Sequence, residues 1–302
     1  MKSEILPYEK SDTMVASTSK LNDLFILAKV RVNALVVATT AGGFYMAHPP
    51  DLHVPTMALT CLGTALVASG AAAINQVRER DLDRLMHRTR HRPLAEGRMG
   101  VAQGVAISGL MSSAGLAMLW AATNTVAAAL AMATLLSYAL VYTPLKRRTS
   151  LSTVIGAVPG ALPPLIGWAA VRGDIAGIQP WTLFLIMFFW QLPHFLAIAW
   201  IYREDYARAG MPMLTVVDRH GAMTGAQTTL WAAALVPFSQ LPYLFGLTTV
   251  NYALGALLLG LGQFAFAFGF ARHRSIVNAR RLFLASIVYL PLLWGLMVLA
   301  RR

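Results

Sequence analysis

Charge is scarce in this chain. Only 13% of its 302 residues are Asp, Glu, Lys or Arg, against about 25% in an ordinary soluble domain. Cysteine is nearly absent as well: Cys61 is the single one. A lone thiol excludes an internal disulfide and points to no Cys-based metal site. A basic soluble module is missing too, so the net charge of +12 is no footprint of nucleic-acid binding. We find no low-complexity linker, strict short repeat or second soluble domain, and expect one all-α domain over 1–302. The first twenty residues, "MKSEILPYEKSDTMVASTSK", lack both the apolar core of a signal peptide and the Arg-rich amphipathic pattern of a transit peptide. They read as a flexible cytoplasmic tail.

What is present is hydrocarbon in long blocks. Asp, Glu, Lys and Arg are absent from 32–50, 52–77, 99–145, 149–171, 175–202, 221–271 and 282–300. A helix crosses a bilayer core with roughly 20 apolar residues, so five of these runs fit one crossing each. The runs 99–145 and 221–271 split into two, with turns expected near 121–125 and 246–252. Nine transmembrane helices result. With nine spans, 22 of the 25 Lys and Arg fall on one side, and such residues accumulate on the cytoplasmic face. The reading is a polytopic protein of the bacterial inner membrane, N-terminus cytoplasmic and C-terminus periplasmic, with the basic loops also in contact with anionic membrane lipid.

The densest polar stretch is "NQVRERDLDRLMHRTRHRPL" (75–94), with three acids and six arginines. Continued as helix from the second span, it places Asn75, Glu79 and Asp83 at i, i+4, i+8 on one face, with Asp81 rotated away. An amide oxygen and two carboxylates make a hard-oxygen set suited to Mg²⁺, which binds through one or two carboxylates plus substrate phosphates. Arg78, Arg84, Arg88 and Arg92 carry planar forks that fit phosphate oxygens. Together they imply a diphosphate ester as ligand. The bland reading is an arginine-rich inside loop whose acids form surface ion pairs worth about 0–1 kcal/mol. Two more islands lie on the same side. "YTPLKRRTS" carries Tyr142, Thr143, Lys146 and Arg147, while "WQLPHFLAIAWIYREDYARAGMPML" sets Gln191 and His194 in the sixth span and ends it with Glu204 and Asp205. Ionisable groups inside a span are functional candidates by default. Acid-bearing helix ends four spans apart suggest two similar halves facing each other.

These three islands resemble the UbiA superfamily of intramembrane prenyltransferases, and most closely its protohaem IX farnesyltransferase branch. The first looks like that branch's Asn/Glu/Asp motif followed by Arg-Thr-x-x-Arg-Pro-Leu; "YTPLKRRT" and "WQLPHF…DY…GMPML" are similar to its other signatures. The resemblance implies a UbiA-like helical bundle in which farnesyl diphosphate alkylates a vinyl group of haem B, water adds, and diphosphate leaves. It also implies haem A synthase or oxidase assembly factors as partners. Mg²⁺ on Asn75, Glu79 and Asp83 would neutralise the departing diphosphate; Arg88, Arg92 and Lys146 would stabilise the same charge. Arg78, Tyr142, Arg147, His194, Asp205 and Tyr206 are the expected substrate-binding residues, with His194 either a haem-iron ligand or a hydrogen-bonded structural group. Two departures stand out. Tyr202 and Tyr206 occupy the positions of the superfamily's second aspartate pair, leaving Glu204 and Asp205 as the acids there. Val30 replaces a proline and is expected to straighten the first span. Two other functions stay open at this point: prenylation of an aromatic quinone precursor, and transport of a phosphorylated solute.

Overall fold

In a computed structural model, described for residues 19–48 and 51–302, the chain is all-helical. The expected cytoplasmic tail lies outside the described residues but for Ser19 and Lys20. The helices run α1 (Lys20–Ala28), α2 (Val30–Met46), α3 (Val54–Asp83), the short α4 (Pro93–Glu96), α5 (Val101–Ala122) and α6 (Thr125–Leu136). A π-helical turn (Ser137–Tyr142) and α7 (Thr143–Leu145) extend α6. Then come α8 (Ser152–Gly160), α9 (Pro163–Arg172), α10 (Gln179–Ile201), α11 (Arg203–Arg208) and α12 (Leu214–Val217). The chain ends with α13 (Ala222–Phe238), α14 (Leu241–Leu244), α15 (Val250–Arg272) and α16 (Ile276–Leu299).

Among the described residues, seven helical units are long and apolar enough to cross a membrane, counting α6–α7 and α8–α9 as one each; the bent pair α1–α2 makes an eighth. Helix α13 has 17 residues and packs between α10 and α15. The turns expected inside the two longest runs are present. Asn124 caps α6 by accepting from the Ala127 N–H at 3.0 Å, and α14 intervenes between α13 and α15.

Small residues set the packing, as membrane helices with no hydrophobic drive between them require. Helices α3 and α5 meet through Gly63, Gly70 and Gly115, where an added Cβ would strike the opposite helix; Ser108 Oγ bonds the Gly70 carbonyl at 2.8 Å. Gly43 and Gly167 let α2 and α9 approach backbone to backbone in the same way. At the far end the C-terminal arginines are pinned. Arg301 donates to the Tyr45 carbonyl at 2.8 Å and lies 4.0 Å from that ring's centre.

The first span is not straight. Helices α1 and α2 meet at 47°, so the expectation drawn from Val30 is corrected. Proline is not needed for this bend because Lys29 takes a left-handed conformation, φ 49° and ψ 48°, which costs an L-residue about 1–2 kcal/mol. The break frees carbonyls that a continuous helix would have bonded, and side chains take them up. Gln76 Nε2 of α3 donates to the carbonyls of Ile26 (3.3 Å) and Leu27 (2.8 Å). Asn33 Nδ2 donates to Ala28 O and to Ser69 Oγ, both at 2.8 Å.

Candidate active site

The helical-face reading of α3 has a clear geometric outcome. Asn75, Glu79 and Asp83 are all buried, whereas the Asp81 side chain is 71% exposed and pairs outward with Arg80 and Arg84. Along the inward face each group meets a partner. Asn75 Nδ2 donates to Glu79 Oε2 at 3.0 Å, and Thr143 Oγ1 donates to Asn75 Oδ1 at 3.1 Å. Lys146 Nζ lies 3.3 Å from both Glu79 oxygens, and Arg92 Nη1 grips both Asp83 oxygens at 2.9 and 2.8 Å. Two buried carboxylates therefore carry one fixed cation each, as buried charge requires.

Lys146 owes its place to the π-helical turn. An extra residue per turn widens the helix and re-aims the side chains beyond it, and the turn is held from outside by Arg78, which donates to the Ala139 carbonyl. Tyr142 packs against Gly156, where a Cβ would collide with the ring. The Lys146 ammonium sits 6.0 Å from the ring centres of Tyr142 and Tyr206, within cation–π reach.

The loop after α3 is held by the second half of the chain. Asp205 accepts the backbone N–H groups of His87 and Arg88, each at 3.2 Å, and also pairs with Arg208. Burial pushes the Asp205 carboxyl up, but these donors outweigh it and hold it below the ordinary carboxylate value. So anchored, Arg88 places its guanidinium 5.0 Å from the Tyr202 ring centre and 3.4 Å from the Tyr206 hydroxyl.

Behind this polar mouth lies a cavity of about 350 Å³. Asn75, Glu79, Asp83, Arg88, Arg92 and Lys146 all line it, with Tyr142 and Tyr206, and its deeper wall is mainly apolar. Arg78, Arg147, Asp205 and His194 do not. Arg147 is exposed, Arg78 serves the π-turn, and Asp205 serves the loop. His194 turns toward α16. Its Nδ1 is 2.7 Å from Ser286 Oγ, and that hydroxyl spends its proton on the Phe283 carbonyl at 2.6 Å. The ring therefore donates from Nδ1 and keeps a lone pair on Nε2. Trp190 and Phe283 flank it, each with ring centres at 5.0 Å.

Lys29 also lines the cavity, and reading the sequence did not single it out. The available signals were Asn33 inside an apolar run and Gln76 beside Asn75. Polar amides at such positions mark a backbone that needs outside partners.

A hard cation fits this donor set. Glu79 and Asp83 present only oxygens to the cavity, and the Lys146 ammonium already stands where positive charge on Glu79 belongs. An apolar chamber closed at one end by oxygens and fixed cations suits a ligand with a hydrocarbon tail and a multiply charged head. This is the architecture of an intramembrane prenyltransferase, and the UbiA prenyltransferase family model matches residues 35–295. The chain belongs to the UbiA prenyltransferase family. The protein named "Protoheme IX farnesyltransferase" of Solibacter usitatus (strain Ellin6076) is 42% identical over 290 residues, 93% of this chain and 99% of that one. Among solved structures, one described for digeranylgeranylglyceryl phosphate synthase aligns with a TM-score of 0.77 at 15% identity, covering 94% of this chain and 99% of its own. A UbiA homolog from Archaeoglobus fulgidus bound to GPP and Mg²⁺ gives 0.66 at 16%, covering 91% and 99%. At such identities these structures speak for the fold alone.

Proposed function

We propose that this chain transfers the farnesyl group of farnesyl diphosphate to a vinyl group of haem B within a bacterial inner membrane. The observation that carries this reading is the buried row Asn75–Glu79–Asp83, with Lys146 and Arg92 on its carboxylates, at the mouth of an apolar cavity. Likeness at 42% to a protein named for that reaction selects the acceptor. In this reading α13 counts as a ninth span, the N-terminus is cytoplasmic and the C-terminus periplasmic, as the arginine and lysine bias supports.

The farnesyl C1–O bond breaks, a C–C bond forms to the vinyl terminus, and water adds its oxygen to the neighbouring carbon with loss of a proton. Mg²⁺ held by Asn75, Glu79 and Asp83 would neutralise negative charge on the leaving diphosphate. The other parts belong to the chain. Lys146 and Arg92 exchange carboxylate oxygens for diphosphate oxygens, staying within one side-chain swing of both. Arg88 adds a fork from the loop. The apolar wall keeps water from the allylic cation until the vinyl carbon reacts. Tyr142 and Tyr206 turn ring faces toward the Lys146 ammonium and hold it at the mouth. Asp205 serves the substrate by fixing the loop that carries Arg88. Arg78 does so through the turn that carries Lys146, and exposed Arg147 meets a haem propionate. His194 takes the iron through its free Nε2.

Membranes containing the chain, given farnesyl diphosphate, haem B and Mg²⁺, should form haem O. Formation of a prenylated quinone precursor with no haem O would transfer the site to another acceptor. Replacing His194 with Ala should shift the haem absorption spectrum while leaving farnesyl diphosphate binding intact; an unchanged spectrum returns His194 to a packing role.

A further inference from the structure

The span formed by α8 and α9 is broken where it lines the cavity. Helix α8 ends at Gly160, and α9 starts with Pro163 and Pro164. In a continuous helix the Gly160 carbonyl would bond the N–H of residue 164, and a proline has none. Among the described residues no other donor reaches that carbonyl. Irregular backbone at membrane depth persists where it is buried in protein or lines a wet cavity. Gly160, which has only backbone to show, lines the cavity.

A second acceptor stands over it. Gln191 of α10 is 2% exposed, and its Nε2 donates to the Ala157 carbonyl at 2.8 Å. A carbonyl only accepts, so this bond fixes the amide and leaves Oε1 for another donor. Oε1 packs on Gly160, where an added Cβ would strike it, and among the described residues it accepts nothing. Gln191 lines the cavity as well. Two oxygens without donors in a mainly apolar wall carry a cost that a donor from outside removes. The place is close beneath the mouth. Gly160 follows Gly156 by one turn, about 6 Å, and Gly156 is where the Tyr142 ring packs.

We propose that the Gly160 carbonyl and Gln191 Oε1 hold the water that the transfer consumes. The inference rests on the reading of the site as one that farnesylates haem. Two acceptors and no donor take both hydrogens of a water and turn its lone pair outward, the orientation a nucleophile needs. Breaking farnesyl C1–O and joining C1 to the vinyl terminus leaves a cation on the inner vinyl carbon. The oxygen of the held water bonds to that carbon, and one of its protons passes to an oxygen of the released diphosphate. Without the water, the cation loses a proton from the new CH₂ group to the same diphosphate. The product is then an alkene, lighter than haem O by one water.

The test supplies the full chain in lipid nanodiscs with farnesyl diphosphate, haem B and Mg²⁺, and separates the products by mass spectrometry. Gln191→Leu should raise the alkene relative to haem O by roughly 10-fold, the factor one lost hydrogen bond can supply. Calorimetric binding of farnesyl diphosphate checks that the variant is folded. Gly160→Ala, which drives Oε1 away with Gln191 in place, should give the same shift, and carries the test where Gln191→Leu fails to fold. Gln191→Glu, neutral in this apolar wall, donates to Ala157 and keeps an acceptor, so haem O should again be the main product. A wild-type ratio of products in folded Gln191→Leu or Gly160→Ala overturns the water site. So does a Gln191→Leu chain that binds farnesyl diphosphate and forms neither product, since Gln191 then serves haem binding. A wild-type chain that farnesylates no haem removes the reading beneath the proposal, a result distinct from an unchanged product ratio.

Discussion

The ends of α3 and of α10–α11 meet at the same mouth and solve opposite problems. At the end of α3 the inward positions carry Asn75, Glu79 and Asp83, all buried. At the end of α10–α11 the positions four apart carry Tyr202 and Tyr206, and the acids between them look elsewhere. Glu204 is exposed, and Asp205 is spent on the His87 and Arg88 N–H groups. One end gathers oxygens that hold positive charge. The other offers ring faces and a hydroxyl that steady cations, and a carboxylate that anchors its neighbour's loop. In the function proposed above, these two helix ends divide the work into a binding side and a supporting side. The lesson is that an acid in a motif is defined by what its oxygens face, not by its presence.

The comparison is most exposed to failure at Asp83. Asp83→Asn keeps shape but removes the charge that Arg92 grips with both oxygens. Turnover should fall by more than the roughly 10- to 100-fold typical of losing a group behind a metal ligand. Glu79→Gln should behave alike. Asp81→Asn, on the exposed face, should stay within about threefold, as surface pairs are worth about 0–1 kcal/mol. A membrane assay for haem O in which Asp81→Asn matches Asp83→Asn would end the distinction between faces.

A step smaller, Asp205→Asn tests the supporting side. The loop keeps a neutral acceptor but loses charge-assisted bonds and the pairing with Arg208. Activity should drop about 10-fold, mainly as a higher KM for farnesyl diphosphate, because Arg88 loses its placement rather than its chemistry. A fall in kcat alone would move Asp205 into the reacting shell. Arg88→Lys should cost a similar or smaller factor, since charge survives and the fork does not. Unchanged affinity there would reduce Arg88 to a topology signal.

Much of this was legible in the sequence because membranes enforce simple rules. Charge-free runs gave the helices, and the i, i+4, i+8 spacing gave the buried oxygens with Asp81 outside. The family resemblance is borne out by the match over residues 35–295. What stayed hidden depends on backbone conformation and on long-range partners. The bend at Lys29 arises from a left-handed residue and from Gln76, some fifty positions away, and replacing a proline with Val30 gives no hint of either. The π-turn that aims Lys146 shows no distinct pattern in an apolar run. Nor does sequence spacing reveal that Asp205 faces a loop while its neighbour Tyr206 faces the cavity.

The smallest expected effect is a pH response confined to the supporting side. Asp205 has a carboxyl held below its ordinary value in the folded chain, and an unfolded Asp titrates near pH 3.9. A depressed folded value means that the unfolded state binds the proton first. The stabilisation is thus fully present above about pH 4 and is lost as pH falls through the lower folded value. Hydrogen-exchange protection of residues 84–92, corrected for intrinsic rates, should be flat from neutrality to about pH 4 and decline below it. In Asp205→Asn the same segment should start less protected and show no such decline. Equal acid profiles in the two proteins would mean that the loop is held by something other than the Asp205 carboxylate, and the supporting role of α11 would go with it.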